Sequence, residues 1–480
     1  MPIKRQEKWI IGTLLTLFII FSTLVLLSEG FYGGGDSIAH YRISRYALRY
    51  PHLFLDHWGK PVFTILSSPF SWLGFNGTRI FNVIAGLLTA FLTYRTVREE
   101  TGKDAWLAVL FVILAPVYFI LFFSAVTEIT FSLVLIFSVY YIYREKYTAA
   151  ALMISFLPFA RTEGFVIVFV ILAALTGYRQ YKSIPFLFGG FVLFSLAGWP
   201  YYHDPLWVIH EIPYTGAADI YGHGTLMHFV HNAPRIFGIP LLFFWILGVY
   251  SLVRDMSSRE KRERALKETW FVVLPFLAYF AAHSYVWWKG LGSSLGLTRV
   301  MAGVVPLVAV TAMRGYRFVA GQITESLNRN VFLPAITLVA LLIPPLHFYR
   351  VPVQQDETQK VLSQAAEWLK HSPYAGHRIY YYDLYFQFRL GLDPYDTERC
   401  CEKVPDPGDP AKDVPAGSII QWDAHYGPNE GRLPLKKLLD NPEYTLLKVF
   451  KPKHSFMALG SHEYAVYIFL RKPAGHGESQ

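Results

Sequence analysis

The chain has 480 residues, 53% hydrophobic and only 16% charged, with a net charge of +9. So apolar a composition, with apolar residues in long blocks, excludes an ordinary soluble domain and implies a multi-spanning membrane protein. Its only cysteines, Cys400 and Cys401, are adjacent, which excludes a disulfide framework and a cysteine-based metal site.

In chain order, the first apolar block covers residues 9–28. Its apolar core of about twenty residues is longer than a signal-peptide core, and no small-residue cleavage site follows, so it reads as a retained helix. Further blocks at 79–97, 105–123, 127–143, 148–160, 164–177, 184–200, 236–253, 270–287, 300–313 and 331–349 bring the expectation to about eleven spans. Lys and Arg collect in alternate loops, from Lys4, Arg5 and Lys8 through Arg95 and Arg98 to Arg259, Lys261, Arg262 and Arg264. The positive-inside bias then places the N-terminus in the cytoplasm. The basic charge is an orientation signal, and nucleic acid is not an expected partner. With that orientation the histidines of the membrane region all fall on the outer side, together with Asp36, Asp56, Glu128, Glu163, Asp204 and Glu211.

The expected organisation is a polytopic α-helical membrane domain, residues 1–350, with outer loops 29–78 and 201–235. A small extracytoplasmic α/β domain, 351–480, follows. Within it, Thr358 to Lys370 has helical spacing, while 378–382, 418–422 and 464–470 read as strands around a Pro/Gly/Asp-rich loop at 404–417.

The first outer loop carries Gly33-Gly34-Gly35-Asp36-Ser37, then His40-Tyr41 and Trp58-Gly59-Lys60-Pro61. Asp36 fits a helix N-cap, which needs no chemistry; His40, one turn on, shares its face. Glu128 and Glu163 stand at the outer ends of predicted spans, where a charge calls for a partner or a job. Arg161 and Glu163 fit a structural turn equally well. Lys60 suits either snorkelling to lipid headgroups or holding a phosphate. Arg299 follows a glycine-rich stretch, 289–298, that lacks the Gly-Lys-Ser/Thr ending of a P-loop. The histidines of loop 201–235 lack zincin spacing, and no metal site is expected.

These motifs resemble the GT-C glycosyltransferases, polytopic enzymes that use isoprenoid-phosphate-linked sugars and include protein O-mannosyltransferases, aminoarabinose transferases and GPI mannosyltransferases. The residues carrying the resemblance are Asp36 with His40-Tyr41, Trp58-Gly59-Lys60-Pro61, Thr127-Glu128, Arg161-Thr162-Glu163-Gly164, Gly222-His223-Gly224 and the approach to Arg299. Two departures are Ser37, where relatives often have a second acid, and Val62, where they have a second proline. The resemblance implies Asp36 as catalytic base, Lys60, Arg161 and Arg299 as donor-phosphate ligands, and His40, Glu128, Glu163 and His223 as substrate-orienting groups. It implies an isoprenoid-phosphate sugar donor, a lipid, glycan or protein acceptor, surrounding membrane lipids, and neither cofactor nor metal. A prokaryotic cell membrane is the expected setting. The rival reading is a transporter or lipid flippase, whose ionisable residues should instead line a path through mid-membrane.

Overall fold

The computed structural model describes residues 3–213, 220–292, 294–323, 331–459 and 462–473. Ser293 of the glycine-rich stretch and residues 214–219 of the loop 201–235 lie outside the described residues. The chain forms two compact units. The first holds Met1–Ser28, Ile43–Ala218 and Gly222–Val353; the second holds Glu29–Arg42, Asp219–Tyr221 and Gln354–Gln480. The segment around Asp36 therefore belongs with the C-terminal residues.

The first unit is helical. By length and composition, five of its described helices can cross a membrane: Gln6–Leu27, Phe75–Glu99, Tyr181–Tyr202, Ile239–Met256 and Arg262–Lys289. Shorter apolar helices occupy Glu128–Tyr143, Tyr147–Ala160, Gly164–Gly177 and Leu333–Phe348. Apolar side chains such as Ile19, Leu196, Ile246 and Ile343 are exposed, the pattern of a surface that faces lipid. Inside, polar side chains close on their own backbone. On the helix Phe75–Thr101, Thr89, Thr93 and Thr96 each donate to the carbonyl one turn back, at 2.8–2.9 Å. A hydroxyl so satisfied can be buried without an orphaned donor.

The block 105–123, read from sequence as one span, is two short buried helices, Leu107–Ile113 and Pro116–Leu121. Pro116 has no N–H to continue the ladder and starts a new helix instead. In 300–313 a 3₁₀ segment, Thr298–Val304, precedes the buried helix Val305–Gln322. That helix packs closely on Ile239–Met256. At the crossing, Gly248 lies against the Thr311 carbonyl and Gly315 against the Phe244 carbonyl, so a Cβ on either would collide with backbone. Gly248→Ala is expected to cost about 1–3 kcal/mol by forced separation of the helices. Thermal unfolding in detergent would show it, with Gly12→Ala, where a Cβ meets open space, unchanged.

The second unit is built on a five-stranded mixed sheet: β1 Ile379–Tyr381, β2 Cys400–Glu402, β3 Ile419–Asp423, β4 Tyr444–Phe450 and β5 Val466–Arg471. The spatial order is β2-β1-β3-β5-β4. β1 runs parallel to β2 and β3, and β5 antiparallel to β3 and β4. The helix Glu357–Lys370 is capped by Asp356, which accepts from the Gln359 N–H at 2.8 Å. An α/β sheet domain was legible in the sequence, but β2 and β4 were not. β2 has three residues, and β4 is an edge strand whose alternation is broken by an irregularity between Leu446 and Lys448.

Candidate active site

Five of the residues singled out from sequence converge in the helical unit. Lys60 is reached through a pinned loop: Asp56 accepts from the Gly59 N–H at 2.7 Å, and the Gly59 carbonyl accepts from Thr64 at 3.0 Å. Lys60 has φ 60°, and Pro61 immediately opens the helix Pro61–Ser71. A residue before proline is driven out of the right-handed helical region, and a positive φ without glycine costs on the order of 1–3 kcal/mol. Such strain survives only where its surroundings hold it. The Lys60 side chain is 5% exposed, and its ammonium donates to Thr162 Oγ1 at 3.3 Å. His57, in the loop before it, has its pKa lowered by burial and then by the Lys60 charge.

Thr162 lies in the turn Arg161-Thr162-Glu163, which separates Leu157–Ala160 from Gly164–Gly177. Arg161 is central. Its Nη1 lies 2.9 Å from Glu128 Oε1 and donates to Thr127 Oγ1 at 3.0 Å, while its Nη2 donates to Glu163 Oε1 at 2.9 Å. Glu128 is fully buried at the first position of Glu128–Tyr143, where a helix N-terminus favours a carboxylate. Its Oε1 also accepts from Arg299 Nε at 3.1 Å. One carboxylate oxygen thus serves two guanidiniums. Glu163 is more open, and His283 Nε2 lies 3.8 Å from its Oε1.

Three cations, Lys60, Arg161 and Arg299, are gathered with two carboxylates, Glu128 and Glu163. One unit of positive charge is left over, beside apolar helices, which is chemistry suited to an anion.

The remaining candidates are Asp36, His40 and His223. Asp36 and His40 belong to the sheet unit. The helix there begins at Gly34, so Asp36 sits inside its first turn rather than at the N-cap, still favoured by the helix dipole. His40 is buried on the same helix. His223 is exposed, with Nδ1 3.5 Å from the Gly224 carbonyl. Sequence reasoning missed His283 and Tyr279, whose rings meet at 4.5 Å on the helix Leu274–Lys289. The available signal was a histidine inside an apolar span, one turn from a tyrosine. Among the described residues, no three His, Cys, Asp or Glu side chains form a group that could hold a metal ion.

No family model and no curated protein sequence matches the chain. Solved structures do. ArnT from Cupriavidus metallidurans in the apo state matches with a TM-score of 0.59 and 12% identity, over 97% of this chain and 98% of that one. The same protein bound to undecaprenyl phosphate matches with a TM-score of 0.57 and 12% identity, over 95% and 97%. The Archaeoglobus fulgidus oligosaccharyltransferase tethered to an acceptor peptide containing the NVT sequon gives 0.51 and 16%, over 82% of this chain and 60% of that one. At these identities the likeness is one of fold alone: the chain shares the fold of these two solved structures.

Proposed function

We propose that this chain is a membrane glycosyltransferase that moves a sugar from an isoprenoid-phosphate donor to an acceptor hydroxyl at the outer membrane face, with inversion. The observation that carries the reading is the gathering of Lys60, Arg161 and Arg299 around two carboxylates in a helical unit of GT-C fold. A polyprenyl-phosphate sugar is a phosphodiester with one negative charge, which the leftover cation matches. In the reaction the bond from the anomeric carbon to the phosphate oxygen breaks, and its electron pair stays on the phosphate. The acceptor oxygen bonds that carbon from the opposite face and loses its proton to Asp36. The released phosphate monoester carries more charge than the donor did, so fixed cations stabilise the transition state more than the ground state.

In this reading Lys60, Arg161 and Arg299 hold the phosphate. Glu128 acts through the two arginines it positions, Glu163 steadies Arg161, and His40 and His223 orient sugar or acceptor. The acceptor is a lipid, glycan or protein hydroxyl, and the chemistry requires neither nucleotide nor metal. The test is sugar release to water by the purified chain from a panel of polyprenyl-phosphate hexoses and pentoses. Release from one donor is expected and would name the sugar. Failure to bind or turn over any donor would reject the transferase and favour a transporter or flippase.

A further inference from the structure

We infer that Tyr426, on the turn after β3, is a positioning residue for the Asp36 carboxylate, which makes the C-terminal sheet part of the catalytic machinery. The inference rests on Asp36 as the base. Two independently anchored segments of the sheet unit meet at this point.

The segment bearing Asp36 is tied down on both sides. Before it, the Phe31 carbonyl accepts from Gln359 at 3.1 Å, the Phe31 ring packs on Tyr385 with centroids 5.3 Å apart, and Gly30 is pressed against the Gln354 carbonyl. After it, Arg42 pairs with Glu402 at 2.7 Å and donates to the Tyr381 hydroxyl at 3.2 Å. Ser37 closes the turn by donating to the Tyr32 carbonyl at 2.7 Å.

The turn bearing Tyr426 hangs from the centre of the sheet. Asp423, fully buried at the end of β3, accepts from the N–H groups of His425 and Tyr426 at 3.0 and 2.8 Å. Its second oxygen accepts from Gln421 at 3.1 Å, and Gln421 in turn accepts from the Tyr382 and Asp383 N–H groups. The phenol so aimed brings its hydroxyl to 2.5 Å from the point where a Gly35 side chain would begin, beside the next residue Asp36, whose charge opposes its ionisation. Position 35 must be glycine while that hydroxyl is there.

Tyr426 and Tyr221 both feel the Asp36 and Glu430 carboxylates, Tyr426 feels Asp383 and Asp423 as well, and His40 stands one turn along the Asp36 helix. Tyr221 donates its proton to Glu430. Burial first, and then these carboxylates, push the Tyr426 phenol well above its ordinary pKa. It therefore remains a donor across the working range, suited to stabilising the ionised form of Asp36.

The experiment is donor sugar release by the full chain against pH. Tyr426→Phe is expected to lower kcat/KM about tenfold and to move its acid limb up by about one pH unit, the size of one charge-assisted hydrogen bond. The donor KM should hold. Gly35→Ala should weaken activity alone. Combined with Tyr426→Phe it should add nothing, because the next ring atom, Cζ, stands 3.5 Å from the new Cβ. An unmoved acid limb in Tyr426→Phe, whether activity is kept or lost, would overturn the positioning role. Full additivity of the two substitutions would overturn it as well. Asp36→Asn separates the two ideas: inactive Asp36→Asn beside unaffected Tyr426→Phe removes only Tyr426, whereas active Asp36→Asn removes the base itself.

Discussion

Asp36→Asn is expected to cut sugar release from the preferred polyprenyl-phosphate donor by about 10²–10⁴-fold, the range a positioned general base supplies. Asparagine keeps the shape of the side chain and cannot take a proton. The fold should tolerate the change. Asp36 is only partly buried, and the helix Gly34–Tyr46 is anchored by Arg42, Ser37 and Phe31 rather than by the Asp36 side chain alone. Thermal unfolding close to wild type, unchanged donor binding and lost turnover would together support the base. Normal turnover in a folded Asp36→Asn protein would remove Asp36 from that role.

Glu128→Gln is expected to have the largest effect on stability. The wild-type carboxylate, with no exposed surface, lies 2.9 Å from one guanidinium and 3.1 Å from another. Removing its charge leaves two partly desolvated cations facing each other, and breaking a buried pair from one side costs about 3–5 kcal/mol. Donor affinity should fall with stability, since Arg161 and Arg299 lose the group that fixes them. Glu163→Gln is the internal comparison. It loses an ion pair of the same 2.9 Å length to the same arginine, but Glu163 keeps 31% of its side-chain surface exposed. Its cost should be nearer the 0–1 kcal/mol range of solvated pairs, so about a kilocalorie at most. Equal thermal shifts for the two variants would show that depth does not govern this cluster.

Much of the cluster is legible in the sequence. A charge in a chain this apolar is conspicuous, so Lys60, Arg161, Glu163, Glu128 and Arg299 could each be picked out. Their relation could not. Arg299 and Glu128 are 171 residues apart, and no local pattern connects them. His283 shows the opposite failure. It was visible as a histidine in an apolar span, yet its proximity to Glu163 depends on how the helix Leu274–Lys289 meets the turn at Arg161. The Gly248 and Gly315 contacts were equally hidden, because a glycine in a helix says nothing about which backbone lies against it.

Composition and apolar periodicity are properties of neighbouring residues, and they sufficed to determine a polytopic helical chain with an α/β C-terminal region. They also mark the first helix, realised as Ile3–Leu27, and the helix at 357–370. The tertiary structure alone decided that residues 29–42 join the sheet unit, and that Glu128 serves two arginines. It also decided that the Tyr426 hydroxyl occupies the space a side chain at Gly35 would need. Each of these depends on long-range packing, in which a buried charge or a bare backbone is tolerated only when a distant part of the chain arrives to complete it.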